Sequence, residues 1–257
     1  MKTKLLILVL LIAGANTIFS QSPREIAEKA SNAIDPDAME MSATLNIYDN
    51  RGNVRERQLA VASRKFGDVH KTQMRFLSPP DIRGTAMLIY DHDDKGDDMW
   101  IYMPSLRRTR RIVSSEKGSS FMGSEFSNAD MSAPNIDDFT YKLIGTETIN
   151  GKTCWVIEST CKTPEIAEEN GFNKQIAYIE QNTYLTHKVK YYDFYDELHK
   201  IMTIFDYRKQ ADGSYFAFKM EMENLHNGRK SIYVVNQFQL GSDLQERDFS
   251  TSALEQF

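Results

Sequence analysis

The sequence predicts a mainly β domain of the α+β class: a curved antiparallel sheet, or incomplete β-barrel, of about ten strands covered by short helices. Three observations predict it. Apolar and polar residues alternate with period two over most of the chain, short turn-forming tracts separate the alternating runs, and helical periodicity is confined to brief stretches. Strands joined by tight turns describe a meander and not βαβ units, and so wide a sheet must curl to cover its apolar face.

The first residues read as a cleavable signal peptide. Lys2 and Lys4 form a positive start, Leu5 to Ala13 is apolar but shorter than the roughly 20 residues of a membrane span, and Ser20 is a small residue before Gln21. No cysteine stands near the cleavage point to take a lipid anchor, so residues 21–257 are expected as one soluble periplasmic domain that does not span the membrane. Ser22, Pro23 and Glu25 then supply an N-cap, a first-turn proline and a capping-box acid, and Ile26, Ala30, Ala33 and Ile34 share one face of a helix that ends before Pro36.

From there the period becomes two. Met39, Met41, Ala43, Leu45 and Ile47 alternate with polar neighbours, DNRGN turns the chain, and Val54 to Ser63 returns. Further strands are expected at 72–77, 86–90, 99–103, 139–149 and 152–160, the last two around Asn150-Gly151, and then at 174–180, 187–194, 199–207, 215–223 and 230–240. Between Pro104 and Asp138 lies a stretch too long for an idle connection. Ser127 and Asp130 in capping-box spacing, and Thr163-Pro164 with Gly171, bracket short helices suited to a lid. Cys154 and Cys161 fall on one strand, where seven residues at ~3.3 Å each hold the thiols too far apart for a disulfide.

Composition excludes some functions. The chain carries 31 basic and 36 acidic residues, and loss of Lys2 and Lys4 with the leader moves its net charge from −5 to −7, which argues against nucleic acid. The acidic tract from Asp91 to Asp98 has Lys95 and Tyr102 where a calcium loop needs oxygen ligands, so it reads as a solvated hairpin turn. Five histidines show no zinc spacing, no GxSxG is present, and no glycine loop cradles phosphate. The sequence therefore predicts no catalytic residues, no metal and no cofactor.

Methionine marks another use. Met74 and Phe76, Met87 and Ile89, then Met99, Ile101 and Met103 put adaptable apolar side chains on one face of neighbouring strands, either as an ordinary core or as the wall of a lipid cavity. Beside them Arg107, Arg108, Arg110 and Arg111 concentrate positive charge. With Asp130 they are candidates for head-group or lid contacts, since guanidinium groups hold phosphate or carboxylate bidentately. The alternative is a solvated turn, or pairing with Asp97, Asp98, Glu125 or Asp130.

The strings FLSPPDIRGTAMLIY (76–90), MWIYMPSLRRTRRI (99–112) and FMGSEFSNADM (121–131), with the final DFSTSAL, resemble the outer-membrane lipoprotein-sorting proteins, LolA/LolB-like periplasmic carriers. The resemblance implies a half-barrel whose concave apolar face binds acyl chains of lipoprotein or phospholipid. It also implies exchange with an inner-membrane transporter or an outer-membrane acceptor. In such carriers one arginine holds the lid closed, a role the resemblance assigns to none of the four arginines of this loop by number. A lipid-sensing module that signals to a membrane partner, and an envelope lipid hydrolase, are the rival readings.

Overall fold

The computed structural model describes residues 21–34, 36–92 and 95–256; the expected signal peptide, and Asp93 and Asp94 of the acidic tract, lie outside them. The helix expected at the start is present as α1 (Pro23–Ser31). Ser22 Oγ accepts from the Glu25 N–H and Glu25 in turn accepts from the Ser22 N–H, the reciprocal box expected of these residues.

The chain then winds outward through β1 (Ala38–Tyr48), β2 (Val54–Phe66), β3 (Val69–Ser78), β4 (Ala86–His92), β5 (Asp98–Met103) and β6 (Arg108–Ile112). Residues 113–138 cross to the far edge, passing α2 (Ser114–Lys117) and three 3-10 turns. From there β7 (Phe139–Ile149), β8 (Lys152–Cys161), α3 (Pro164–Asn170), β9 (Lys174–Glu180), β10 (Thr186–Tyr192), β11 (Leu198–Lys209), β12 (Tyr215–Asn224) and β13 (Arg229–Leu240) wind back to pair with β1. The order across the sheet is β6-β5-β4-β3-β2-β1-β13-β12-β11-β10-β9-β8-β7, antiparallel throughout, with β6 and β7 as its edges. It curves without closing. The fold class is the expected one, with 13 strands in place of about ten.

The strand that the sequence hides is β6. Its arginines read as a solvated turn, yet Thr109 and Arg108 pair with Tyr102 and Met103, and Ile112 with Met99. Charged side chains on an edge strand discourage pairing with another chain, so an arginine-rich strand is stable here where a central one would not be.

Side chains of alternate residues divide the sheet into two faces. Ala43, Leu45, Leu59, Val61, Phe76, Met87, Ile89 and Met99 form the concave core with Phe121 and Phe126 of the crossing segment. The convex side of β2–β5 is sealed by the C-terminal segment, a 3-10 turn (Glu246–Phe249) and α4 (Thr251–Leu254). Phe249 and Leu254 bury against Ala86 and Leu88. Arg75 donates to the Leu254 and Ala253 carbonyls at 3.0 and 3.1 Å, and the Tyr90 hydroxyl donates to the Phe249 carbonyl at 2.5 Å.

Cys154 and Cys161 are free thiols. An odd separation along β8 sends them to opposite faces: Cys154 packs with Val156 and Tyr178, Cys161 against the concave core. Burial raises both above the usual thiol pKa, that of Cys161 to about 12. Maleimide is expected to react slowly with the native protein and to modify both thiols once it is unfolded without reductant. Protection of the pair after unfolding would show a bridge.

Candidate functional site

Between the sheet, α1 and the crossing segment lies a cavity of about 530 Å³, within the roughly 300–1,000 Å³ usual for small-molecule sites. Its floor is apolar: Met39, Met41, Val61, Met74, Ala177 and Val189 come from strands on both sides of the β1–β13 junction. Ala27, Ala30 and Ile34 close one wall. The helix stays in place because Ile26, 1 % exposed, packs on Ile157 and Ile179, while its alanines are too small to fill the space beside it.

The roof is the crossing segment, held by its backbone and one buried acid. Glu125 is 5 % exposed; its carboxylate accepts from Asn224 Nδ2 at 2.7 Å and meets Arg229 Nε at 3.0 Å. The Glu125 N–H donates to Ser231 Oγ at 2.9 Å, Lys200 Nζ donates to the Glu125 carbonyl at 2.9 Å, and Arg57 donates to the Met122 carbonyl. This latch draws on β2, β11, β12 and β13, so no local sequence signal announces it. The roof is also joined to α3. A Cβ on Gly118 would stand 2.8 Å from the Gly171 Cα and 2.6 Å from the Glu168 carbonyl, and Lys117, 5 % exposed, pairs with Glu169 beside that contact. Thr163 caps α3 and Gly171 ends it at a φ of 78°, the bracket expected from those residues.

The structure separates the residues singled out from sequence. Met74 lines the cavity. Register sets Met74, Met87 and Ile101 side by side, and Ile89 beside Met99. Phe76, Met87, Ile89, Met99 and Ile101 nevertheless lie outside the lining, on a part of the concave face packed under Phe121, whose ring is 5.8 Å from that of Phe76. Met103 ends β5, opposite Arg108. Arg107 adopts a left-handed turn before β6, and Arg108, Arg110 and Arg111 are exposed on that strand. Arg110 pairs with Glu116 at 2.6 Å and Arg111 with Asp98; none of the four arginines lines the cavity.

Asp130 does line it. Its Oδ2 accepts from the Ser127 N–H at 2.7 Å and from Ser127 Oγ at 2.8 Å, which fulfils the capping spacing, although the helix beyond is only one 3-10 turn (Ala129–Met131). The residue keeps some accessible surface because it opens on the cavity, while protein surrounds it. Burial raises its carboxyl above the usual range, with the Ser127 bonds opposing. Folded Asp130 thus binds its proton at a pH where the unfolded side chain, near 3.9, has lost it. The native state binds more protons across that window, so this group's contribution to stability falls as pH rises through it. Asp130→Asn keeps an oxygen for both Ser127 bonds and removes the charge. Its thermal midpoint is expected above the parent's at pH 7, with the gain shrinking toward about pH 4. A loss at pH 7 would contradict burial as the ruling cause.

Among the described residues one group of metal-ligating types converges elsewhere: Asp193, Glu197 and His226, with ligand atoms within 4.8 Å of one another. Asp193 Oδ1 already accepts the Tyr195 and Glu197 N–H groups of its own turn. No helix among these residues is long and apolar enough to cross a membrane.

Residues 68–256 match the model of a family described as uncharacterized protein. No curated protein matches the sequence. Three solved structures superpose over nearly their whole length. A domain from Vibrio parahaemolyticus, provisionally described as an outer membrane lipoprotein-sorting protein, has a TM-score of 0.84 and 27 % identity, covering 91 % of this chain and 98 % of that one. A DUF1329 family protein from Desulfovibrio piger has a TM-score of 0.83 and 27 % identity, covering 90 % and 97 %. A LolA superfamily protein from Nitrosomonas europaea has a TM-score of 0.71 and 20 % identity, covering 91 % and 100 %, which shows the LolA-like fold.

Proposed function

Since the chain belongs to the DUF1329-like family of uncharacterized proteins and has the LolA-like fold, we propose that it is a lipid carrier of the cell envelope, binding a hydrocarbon chain under the crossing segment. The observation that carries this reading is the apolar cavity itself, roofed by Phe121 and Phe126 and floored by Met41, Val61, Met74 and Ala177. A chain of about 15 methylenes costs on the order of 12 kcal/mol in water at ~0.8 kcal/mol each, so transfer through an aqueous compartment needs such a sleeve. The Vibrio parahaemolyticus relative, with its outer membrane lipoprotein-sorting description, supports a lipoprotein cargo; a phospholipid cargo, a periplasmic location and exchange with membrane partners belong to the same reading.

In this reading Met74 and Asp130 belong to the resting cavity, and Phe76, Met87, Ile89, Met99 and Ile101 extend it when Phe121 swings away to admit a longer chain. Arg110 and Arg111, engaged with Glu116 and Asp98, stiffen the β5–β6 edge beside that movement. Native mass spectrometry of the protein released gently from cells is expected to show intact lipid bound at about one per chain. Release of free fatty acid on incubation would identify a hydrolase instead. A protein that neither retains lipid nor takes it from vesicles is not a carrier.

A further inference from the structure

The charges on the cavity wall have the opposite sign to the one that lipid phosphates would require. Among the described residues Asp97, Asp130, Asp138 and Glu169 line it, against a single ammonium, Lys117, and no arginine or histidine. Lys117 is already paired with Glu169. Asp97, in the turn before β5, faces Ser132 of the crossing segment, and Asp138 immediately precedes β7. Each feels both Lys117 and Glu169, so the four groups share one region at the junction of α2, α3 and the β4–β5 turn. Asp130 stands apart, with its Oδ2 taken by Ser127.

Burial is the first cause that raises the Asp97 and Asp138 carboxyls above the usual range, and the negative charge of Glu169 adds to it for both. Lys117, paired with Glu169, and Lys162, which acts on Asp138, leave the region with more acid than base. An ammonium group entering it meets an excess of carboxylates, whereas a phosphate or carboxylate adds repulsion in a poorly solvated place. Building on the carrier reading above, we infer that the cavity selects a lipid whose polar end carries a primary ammonium group, with Asp97 and Asp138 as its receptors and the alkyl chain along Met41, Val61 and Met74. The exposed arginines of β6 take no part in this choice.

Three single-chain probes of equal length, hexadecylammonium, hexadecanol and hexadecanoate, are compared below their critical micelle concentrations by displacement of an uncharged apolar fluorophore from the whole mature protein. The ammonium is expected to bind at least about tenfold tighter than the carboxylate, as charge-assisted hydrogen bonds would give. In Asp97→Asn/Asp138→Asn the ratio of ammonium to carboxylate affinity should fall to about one, each affinity being referred to hexadecanol on the same variant. Equal or tighter binding of the carboxylate by the parent, or a ratio that survives in the double variant, overturns the head-group inference and leaves the carrier reading standing. Failure of all three probes, hexadecanol included, to displace the fluorophore overturns both. A matched pair of phospholipids, one ending in ethanolamine and one in glycerol, gives the natural source: preference for ethanolamine places the ammonium on a phospholipid. Preference for glycerol counts against the inference, because it is the anionic member.

Discussion

Ala177→Trp is expected to weaken binding of a C16 chain on the order of a hundredfold while the protein stays folded. Ala177 lies on β9, lines the cavity and packs at the junction of two apolar clusters, so an indole there projects into the space a chain would occupy. Displacing three to four methylenes at ~0.8 kcal/mol each removes about 3 kcal/mol, which is the hundredfold loss. Overpacking a filled core costs ~1–3 kcal/mol, and filling a cavity should cost less, so the thermal midpoint is expected to move by only a few degrees. Fluorophore titration and a melting curve on the same sample check both halves. Binding as tight as the parent's, in a folded variant, would mean that the chain lies elsewhere.

Glu125→Ala should cost ~3 kcal/mol of stability, since it strips the acceptor from the Arg229 guanidinium and the Asn224 amide at a buried position. Glu125→Gln retains one oxygen and is expected to lose about half as much. The effect should be regional. The Ser231 and Lys200 bonds to the Glu125 backbone survive, so hydrogen exchange ought to quicken first across residues 113–138 and leave β1–β4 protected. Urea unfolding gives the magnitude and exchange gives the place. A cost below ~1 kcal/mol, or uniform acceleration, would show that the roof is held by Phe121 and Phe126 packing and not by this latch.

Much of the fold was legible because local chemistry and global structure agree. Ser22, Pro23 and Glu25 make a helix start wherever they stand, and Thr163, Pro164 and Gly171 bracket α3 for the same reason. Period-two alternation found the strands and tight turns ordered them. The one strand missed, β6, fails that test because an edge strand answers to solvent: its arginines obey edge protection and not burial. Methionine alternation correctly grouped Met74, Met87 and Ile101 on one face, but could not tell which part of that face stays open.

The sequence by itself determined the class of fold, the capped helices, the faces of the strands and the separation of Cys154 from Cys161, since each depends on neighbours a few residues away. Where the cavity lies was decided only in three dimensions. It depends on Phe121 covering Phe76 from 45 residues along the chain, on small Ala27 and Ala30 of α1 lining it, and on Glu125 finding Asn224 and Arg229 some 100 residues later. The sign of its wall was hidden likewise. Arg110 and Arg111 stand out in the sequence but spend their charge on Glu116 and Asp98 at the edge, whereas Asp97, Asp138 and Glu169, far apart along the chain, come together on the cavity wall. Spacing along a chain reports local partners, and only packing brings distant charges into one poorly solvated place.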